Sequence, residues 1–535
     1  MPNNVRQSPR LDRTIGPVAL LFTGITGIVG SGWLFASLYA AQLAGPAAVI
    51  SWTIGGGVAI LLALVYAELG GMLPLAGAIA RIPFFSHGGM CGFMAGWLCW
   101  LAYVATAPIE VTAVLQYASN YLPWLTKTET GERVLTMHGL IVAAVLLAFF
   151  LIVNLAGVRW LARANTTITV WKLAIPIVAA LALILAGFQG SNFTAYGGFA
   201  PEGIDGIFAA VSGGGVMFSL FGFRTAVDMA GEARNPQKSV PLAIIGAVVI
   251  SLVIYILLQI AFIGAVPQAH LAKGWHLLSE NVAGGPFAAF ATILGMQWLA
   301  AALYFDAVLS PSGTALVYTG ATARINYALA ENQQFPNLFL ILNAARVPVW
   351  ALVFNFGLGF LLFLPFPGWA DLVGFISSAA VLSLAFGPVS LVALRHQKPA
   401  LRRPFTLHAG RALSALSFVL VGYVVYWTGW ETNWKVFALA LAGALLLSLL
   451  HLHRGDFSTL HARQSAWFWI FLAGLGAISY AGNYGGGLGL LHHGADMVLV
   501  SALSLGVFWH AIRSRLSDRE TAVLFADALG DDEDK

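Results

Sequence analysis

The sequence predicts an all-α integral membrane protein of about fourteen transmembrane helices. Ten of them form a five-plus-five inverted-repeat core with helices 1 and 6 broken, and four more follow. Three observations carry this expectation. Of 535 residues, 59% are apolar and only 9% charged, whereas a soluble domain carries about a quarter charged residues to stay in water. The apolar residues lie in continuous runs of the length, about 20 residues, that crosses a hydrocarbon core as a helix. Glycines interrupt two of those runs, five spans apart. This composition excludes a string of soluble domains, disorder, coiled coil and nucleic-acid binding. Cys91 and Cys99 share one apolar stretch, which excludes a disulfide framework and a paired-Cys zinc site.

In chain order, residues 1–13 form a basic tail with Arg6, Arg10 and Arg13. Spans centre near 17–43, 47–73, 89–119, 134–156 and 162–188, which make up the first repeat, 14–188. The second repeat, 205–398, holds spans near 205–229, 240–266, 286–320, 342–364 and 369–394. Four further spans, near 412–430, 434–452, 466–483 and 495–512, fill residues 411–512, and a tail follows at 513–535. The runs are continuous and not alternating, which disfavours a β-barrel. With the N-terminus inside, 21 of the 27 Lys and Arg fall on the cytoplasmic side and four (Lys127, Arg133, Lys273, Lys435) on the other. That asymmetry predicts a multi-pass protein of the cell membrane with both termini cytoplasmic. It also accounts for the net charge of +4 without an acidic partner. The run Asp531–Asp534 reads as a solvated tail.

The remaining two cations, Lys172 and Arg224, lie inside spans, as do Glu110, Asp228 and Asp306. An ionisable group near the midplane costs about 2.5–3.5 kcal/mol even on insertion scales, so each is a functional candidate or a partner in an interhelical hydrogen bond. Span one carries Gly24, Gly27, Gly30 and Gly32, and span six carries Gly213, Gly214, Gly215 and Gly222. Glycines of this kind let helices pack closely in membranes. Two such segments at matching places point instead to broken helices and a midplane site. Unwound backbone there offers N–H groups to a carboxylate and C=O groups to an ammonium, and an α-amino acid presents both.

These motifs resemble the amino acid–polyamine–organocation superfamily of transporters. Ile28-Val-Gly-Ser-Gly32 is similar to its helix-one break, and Tyr66-Ala-Glu-Leu with Pro74 and Gly77 to its helix-two signature. Phe218-Ser-Leu-Phe-Gly222, with Gly231-Glu-Ala-Arg-Asn-Pro236 and Pro241, resembles helix six and the loop after it. Arg324 with Tyr327-Ala328 resembles the end of helix eight, and Leu401-Arg-Arg-Pro-Phe405 the loop after helix ten. The likeness spans about residues 14–405. Within the superfamily it extends to bacterial proton-coupled carriers of aspartate, in Gly30–Ala36, Ile109–Val114, Leu309-Ser-Pro and Tyr426–Trp430.

The resemblance implies proton-coupled import of an acidic amino acid, aspartate or glutamate, by alternating access, with the proton as coupling ion and no other cofactor. It implies a substrate carboxylate on Ser31, Gly32 and Trp33, and an ammonium on the carbonyls of Ile28, Phe218, Ser219 and Phe221. Arg224 stands where relatives carrying neutral or cationic substrates often have an acid, which favours a second carboxylate; the alternative is an ion pair with Asp228 at i,i+4, itself a candidate gate. Lys172 resembles a lysine beside the helix-one break, where sodium-coupled relatives hold their cation, and implies proton in place of sodium coupling. A static tether to spans one and eight is its alternative. Glu110 and Asp306 are further candidates for the proton path or the cavity, or structural acceptors. Glu68, Glu232, Arg81, Arg234 and Arg324 are expected in ion pairs at the cytoplasmic ends. The last four helices hold no in-membrane charge, so lipid contact or a homodimer surface is expected there. The rival functions are a carrier or exchanger of neutral or other amino acids, and an amino-acid sensor that moves nothing. An enzyme lacks a nucleophile or metal grouping at this level, and a channel lacks rings of polar side chains.

Overall fold

The computed structural model describes residues 13, 15–129, 132–156, 158–278, 285–364, 368–491 and 494–529. The rest of the N-terminal tail, the run Asp531–Asp534 and His492/His493 lie outside the described residues. Helices of five residues or more are, in order, α1 Pro17–Ile28, α2 Ser31–Ala44, α3 Ala48–Met72, α4 Ala78–His87, α5 Gly89–Ala118, α6 Met137–Leu155 and α7 Val158–Gly187. They continue as α8 Gly203–Ser212, α9 Val216–Leu220, α10 Arg224–Asp228, α11 Pro236–Ala265, α12 Pro286–Ile293, α13 Gln297–Glu331 and α14 Val349–Leu361. The last are α15 Trp369–Leu384, α16 Phe386–Gln397, α17 Gly410–Thr428, α18 Trp430–Arg454, α19 Ala466–Ala481, α20 Ala495–Arg513 and α21 Asp518–Leu529.

Each predicted span holds a helix or a broken pair. Ten described helices are long and apolar enough to cross a bilayer, eleven when the bent pair Gly203–Ser212 and Val216–Asp228 is one span. The number falls short of fourteen because α2 and α3 form one run, Ser31–Met72, beside the 12-residue α1, and because α14 and α19 have only 13 and 16 residues. Span one divides at Val29 and Gly30, whose dihedrals (−86°, 85° and −123°, −136°) leave the helical region. Span six divides at Gly213–Gly215, where Gly215 takes φ +85°, and again at a 3₁₀ turn, Phe221–Phe223. The window at 286–320 is two helices, α12 and α13, separated at Leu294–Met296 with Gly295 at φ +75°. Outward-facing side chains such as Leu185, Val253, Leu445 and Val498 are well exposed, the pattern of a surface whose solvent is hydrocarbon.

The two broken helices cross backbone to backbone. A Cβ on Gly222 would stand 2.1 Å from the carbonyl carbon of Gly27, and one on Gly32 would stand 2.2 Å from Ser219 Oγ. Around this crossing α11 packs on α1 and α3, while α5 packs on α13 and α15. The additional helices brace the same region from outside. Phe208 of α8 stacks on Trp427 of α17 with centroids 4.4 Å apart, and Tyr484 O–H donates to Asp205 Oδ1 at 2.8 Å.

Two elements depart from the sequence reading. A short antiparallel hairpin, Thr126–Glu129 with Glu132–Leu135, joins α5 to α6. It is held to the end of α5 by Gln116 Nε2 donating to Arg133 O and by Arg133 Nη1 donating to Ser119 Oγ. Residues 513–535, read as a tail, include α21, which begins in a capping box. Ser517 N donates to Glu520 Oε2 while Glu520 N donates to Ser517 Oγ. The helix then buries Phe525 against Phe85 of α4.

Of the residues expected in ion pairs at the Arg-rich end, Glu232 and Arg324 pair with each other, Glu68 and Arg81 pair with residues outside that set, and Arg234 is in no ion pair among the described residues. Glu68, fully buried, accepts from Arg395 Nε at 2.9 Å, from Arg395 Nη2 at 2.5 Å and from Leu407 N at 2.7 Å. Glu232 pairs with Arg324 at 3.1 Å, and Arg81 with Glu331 at 3.8 Å.

His87 ends α4 outside the spans, buried, with its ring nitrogens on Ser86 Oγ and Ala511 O. Burial pushes its imidazole down to about 4. As pH falls below the ordinary value near 6.5, the unfolded chain binds a proton that the folded chain refuses. Stability is therefore expected to drop between pH 6.5 and 4 by up to about 3 kcal/mol. Thermal unfolding of the purified protein against His87→Gln checks this: the variant should show a flatter pH profile over that window. The crossing makes a second prediction. Gly222→Ala drives a methyl into rigid backbone and is expected to destabilise by about 1–3 kcal/mol or more. Gly57→Ala meets open space on α3 and is expected to be neutral or to gain about 0.5–1 kcal/mol; unfolding midpoints of the two compare them directly.

Candidate functional site

A helix that stops inside a bilayer exposes carbonyls on one side of the break and N–H groups on the other, with no water to satisfy them. The α1–α2 break answers this with side chains from four neighbouring helices. On the carbonyl side, Thr26 O accepts from Lys172 Nζ at 3.2 Å and from Thr314 Oγ1 at 2.8 Å, and Lys172 also donates to Thr314 Oγ1 at 2.8 Å. Ile28 O accepts from the Tyr255 hydroxyl at 2.9 Å. On the amide side, Ser31 N donates to Glu110 Oε2 at 2.7 Å. The Ser31 hydroxyl accepts from Trp369 Nε1 at 3.0 Å.

The charges follow the helix dipole. The ammonium sits at the negative end of α1 and the carboxylate at the positive end of α2. Glu110 and Lys172 are near enough for their charges to act on one another, and Asp306 acts on Lys172 as well. Asp306 is itself held by three donors: Trp171 Nε1 at 2.8 Å, Trp33 Nε1 at 3.1 Å and Ser310 Oγ at 2.7 Å. It thus links α2, α7 and α13.

The helix-six side is built differently. Ser219 Oγ turns back to Gly215 O at 2.7 Å within its own helix. Phe218 stands edge-on to Trp369, with centroids 5.8 Å apart. Phe221 is buried and its carbonyl accepts from Arg224 Nε at 3.1 Å. Gly32 closes on Ser219 from the other helix.

Arg224 does not form the ion pair with Asp228 that sequence spacing allows. Its guanidinium lies over the Tyr103 ring, 4.8 Å from the centroid, and its Nη1 is buried without a hydrogen-bond partner among the described residues. Tyr103 uses its hydroxyl on Asp228 Oδ2 at 2.6 Å, so this one side chain contacts both charges. Asp228 also accepts from Ile79 N at 3.4 Å, and Gly77 N donates to the Asp228 carbonyl at 3.1 Å. That side chain therefore ties helix six to the start of α4.

The structure thus gathers Ile28, Ser31, Gly32, Glu110, Lys172, Ser219 and Phe221 around one crossing, with Asp306 and Arg224 on either flank. Asp228 lies farther toward the Arg-rich end. Sequence reading missed Thr314, Tyr255, Trp369 and Tyr103. A polar tip inside an apolar span is the signal for such residues, but with 17 Trp and 14 Tyr in the chain residue type alone does not pick them out.

Residues 15–447 match the amino acid permease family. The chain is 38% identical over 513 residues to the glutamate/serine transporter AimA of Bacillus subtilis, covering 94% of each chain. It is 38% identical over 501 residues to the aspartate-proton symporter of the same organism, covering 92% of this chain and 94% of that one. The human cationic amino acid transporter 4 is 28% identical over 410 residues, covering 72% of this chain and 60% of its own.

Proposed function

The chain belongs to the amino acid permease family of the amino acid–polyamine–organocation superfamily, and on that premise we propose that it imports an acidic amino acid together with protons by alternating access. It is a multi-pass transporter of the cell membrane and not an enzyme. Its substrate is an amino acid; we assign L-aspartate, with L-glutamate second. The observation that carries the acidic assignment is Arg224. A buried guanidinium with a free Nη1 and no carboxylate of its own, just after the helix-six break, suits a second carboxylate. The names of two similar proteins, one carrying aspartate and one glutamate and serine, support the same class. The serine in one of those names supports a neutral amino acid as the second reading.

In this reading the α-carboxylate docks on the N–H groups of Ser31 and Gly32 at the positive end of α2. The ammonium joins the carbonyls of Ile28, Phe218, Ser219 and Phe221. Those of Ile28 and Phe221 each accept two donors without substrate, Tyr255 Oη and Gly30 N on the first and Arg224 Nε and N on the second, so the ammonium exchanges with one of them. Lys172, Glu110 and Asp306 form the proton-coupling group, because each is buried beside the break and each charge bears on the next. Asp228 is the gate: it couples helix six to Tyr103 and Ile79. Helices one and six rock as a bundle against a scaffold of spans three, four, eight and nine. Residues 14–188 and 205–398 are the two repeats, 411–512 an added module open to lipid or a second copy, and both termini are cytoplasmic.

Uptake of labelled L-aspartate into proteoliposomes tests this, with an inward proton gradient and no sodium. Accumulation should collapse with a protonophore and be competed by glutamate but not by lysine or alanine. Competition by neutral amino acids alone would overturn the acidic assignment. Arg224→Ala is expected to weaken dicarboxylic substrates selectively by about 10–100-fold, the worth of about 1.5–3 kcal/mol in charge-assisted bonds; equilibrium binding of aspartate against serine reads it. Lys172→Ala is expected to abolish proton-driven accumulation, and full accumulation in that variant would remove Lys172 from the coupling group.

A further inference from the structure

The group on the Ser31 N–H is a carboxylate of the protein itself. On the reading that an amino acid docks its α-carboxylate at the α1–α2 break, we propose that Glu110 is a tethered competitor for that place. Its carboxylate holds the N–H until a proton converts it to the neutral acid, and the substrate carboxylate then takes the N–H over.

The geometry carries this in three steps. First, Glu110 occupies the leading N–H of α2 through Oε2 at 2.7 Å, the position where a helix N-terminus binds an anion. Second, the occupant is close and enclosed. A Cβ on Gly30 would stand 2.6 Å from Glu110 Oε1 and 2.7 Å from Thr314 Oγ1, so glycine at the break is what lets the carboxylate reach the backbone. Third, Oε1 is buried with no hydrogen-bond partner among the described residues. Ser31 acts on this carboxylate through both its N–H and its hydroxyl, yet a buried carboxylate with one oxygen unpaired is incompletely stabilised as an anion, and the unpaired oxygen is the atom that takes the proton.

Among the described residues, the titratable groups that act on Glu110 are Lys172 from α7, Tyr255 from α11 and Tyr318 from α13. Lys172 alone among them brings a positive charge. It remains on Thr26 O at the other end of the break, where it favours the return of Glu110 to its anionic form once the substrate has left. Two carboxylates on one N–H exclude each other, because like charges at contact are poorly screened away from water. One proton therefore moves from solution to Glu110 Oε1 for each carboxylate that docks, and leaves again when the carboxylate departs. By reciprocity, protons raise substrate affinity as much as substrate raises proton affinity.

The test is proton uptake on binding. Addition of L-aspartate to the purified protein in weakly buffered detergent solution, with a pH indicator, should draw about one proton per bound substrate, and Glu110→Gln should draw none. Substrate affinity measured by counterflow in proteoliposomes should weaken up to about tenfold per pH unit on the alkaline limb for the parent protein. In E110Q it should be independent of pH, with proton-driven accumulation lost. A variant that keeps the parent's pH slope, or its proton uptake, overturns the proposal. Should E110Q not fold, Glu110→Asp keeps a titrating carboxylate on a shorter arm and is expected to shift the pH midpoint of binding; an unmoved midpoint overturns the proposal equally. L-serine separates this inference from the substrate assignment, since it carries the same α-carboxylate. Proton uptake with serine alone discards the acidic substrate and keeps the competitor. Aspartate uptake with proton-independent binding discards the competitor and keeps the substrate.

Discussion

A helix interrupted within a bilayer frees a carbonyl end and an amide end that solvent cannot reach, and the architecture around residues 28–31 follows from the need to satisfy both. Each uncompensated backbone group would cost several kcal/mol in hydrocarbon. Lys172, Thr314 and Tyr255 meet the carbonyls and Glu110 meets the amide. These four side chains come from α7, α13, α11 and α5, so the break is held by its surroundings and not by its own chain. Polar contacts at a helix end can be exchanged for those of a zwitterionic ligand with little change in shape, whereas an apolar contact has no such substitute.

Close backbone approach is the second constraint. Gly27 and Gly222 bring the two broken helices into direct contact, and Gly32 lies against Ser219. Side chains there would separate the helices and move Phe221 and Arg224 away from the break. With the glycines in place, helices one and six form one polar-centred unit, and the charged groups that answer it stand on other helices. Asp306 shows how tightly that boundary is built: a single carboxylate receives two indoles and a hydroxyl from three helices.

The additional C-terminal helices pack on helix six from outside. Trp427 stacks on Phe208 and Tyr484 bonds Asp205, so the outer half of helix six rests on this module. At the other end, α21 covers α4 through Phe525 and Phe85, and α4 in turn meets helix six through Asp228 and Ile79. Both halves of helix six thus touch parts of the chain that follow residue 411, one directly and one through α4.

The apolar runs, the glycine interruptions and the five in-span charges were legible in the sequence, because membrane burial makes charge rare and therefore conspicuous: Lys172, Glu110, Asp306, Arg224 and Asp228 all lie buried in the spans. What the sequence could not assign was partnership. Spacing allowed Arg224 to pair with Asp228 at i,i+4, yet Tyr103 from α5 takes both, its ring under the guanidinium and its hydroxyl on the carboxylate, since a local rule carries no information about what a neighbouring helix inserts. The hairpin at 126–135 and the docked helix at 518–529 escaped for a related reason: their patterns are short, and packing against α5 and α4 decides them. The sequence by itself determined that this chain is a membrane helix bundle with two broken spans, because hydrophobic length and glycine position are local properties. Only the tertiary structure decided that Glu110 holds the amide end and Lys172 the carbonyl end. Those contacts join residues 79 and 146 positions apart, and nothing but the folded arrangement of helices brings them within reach.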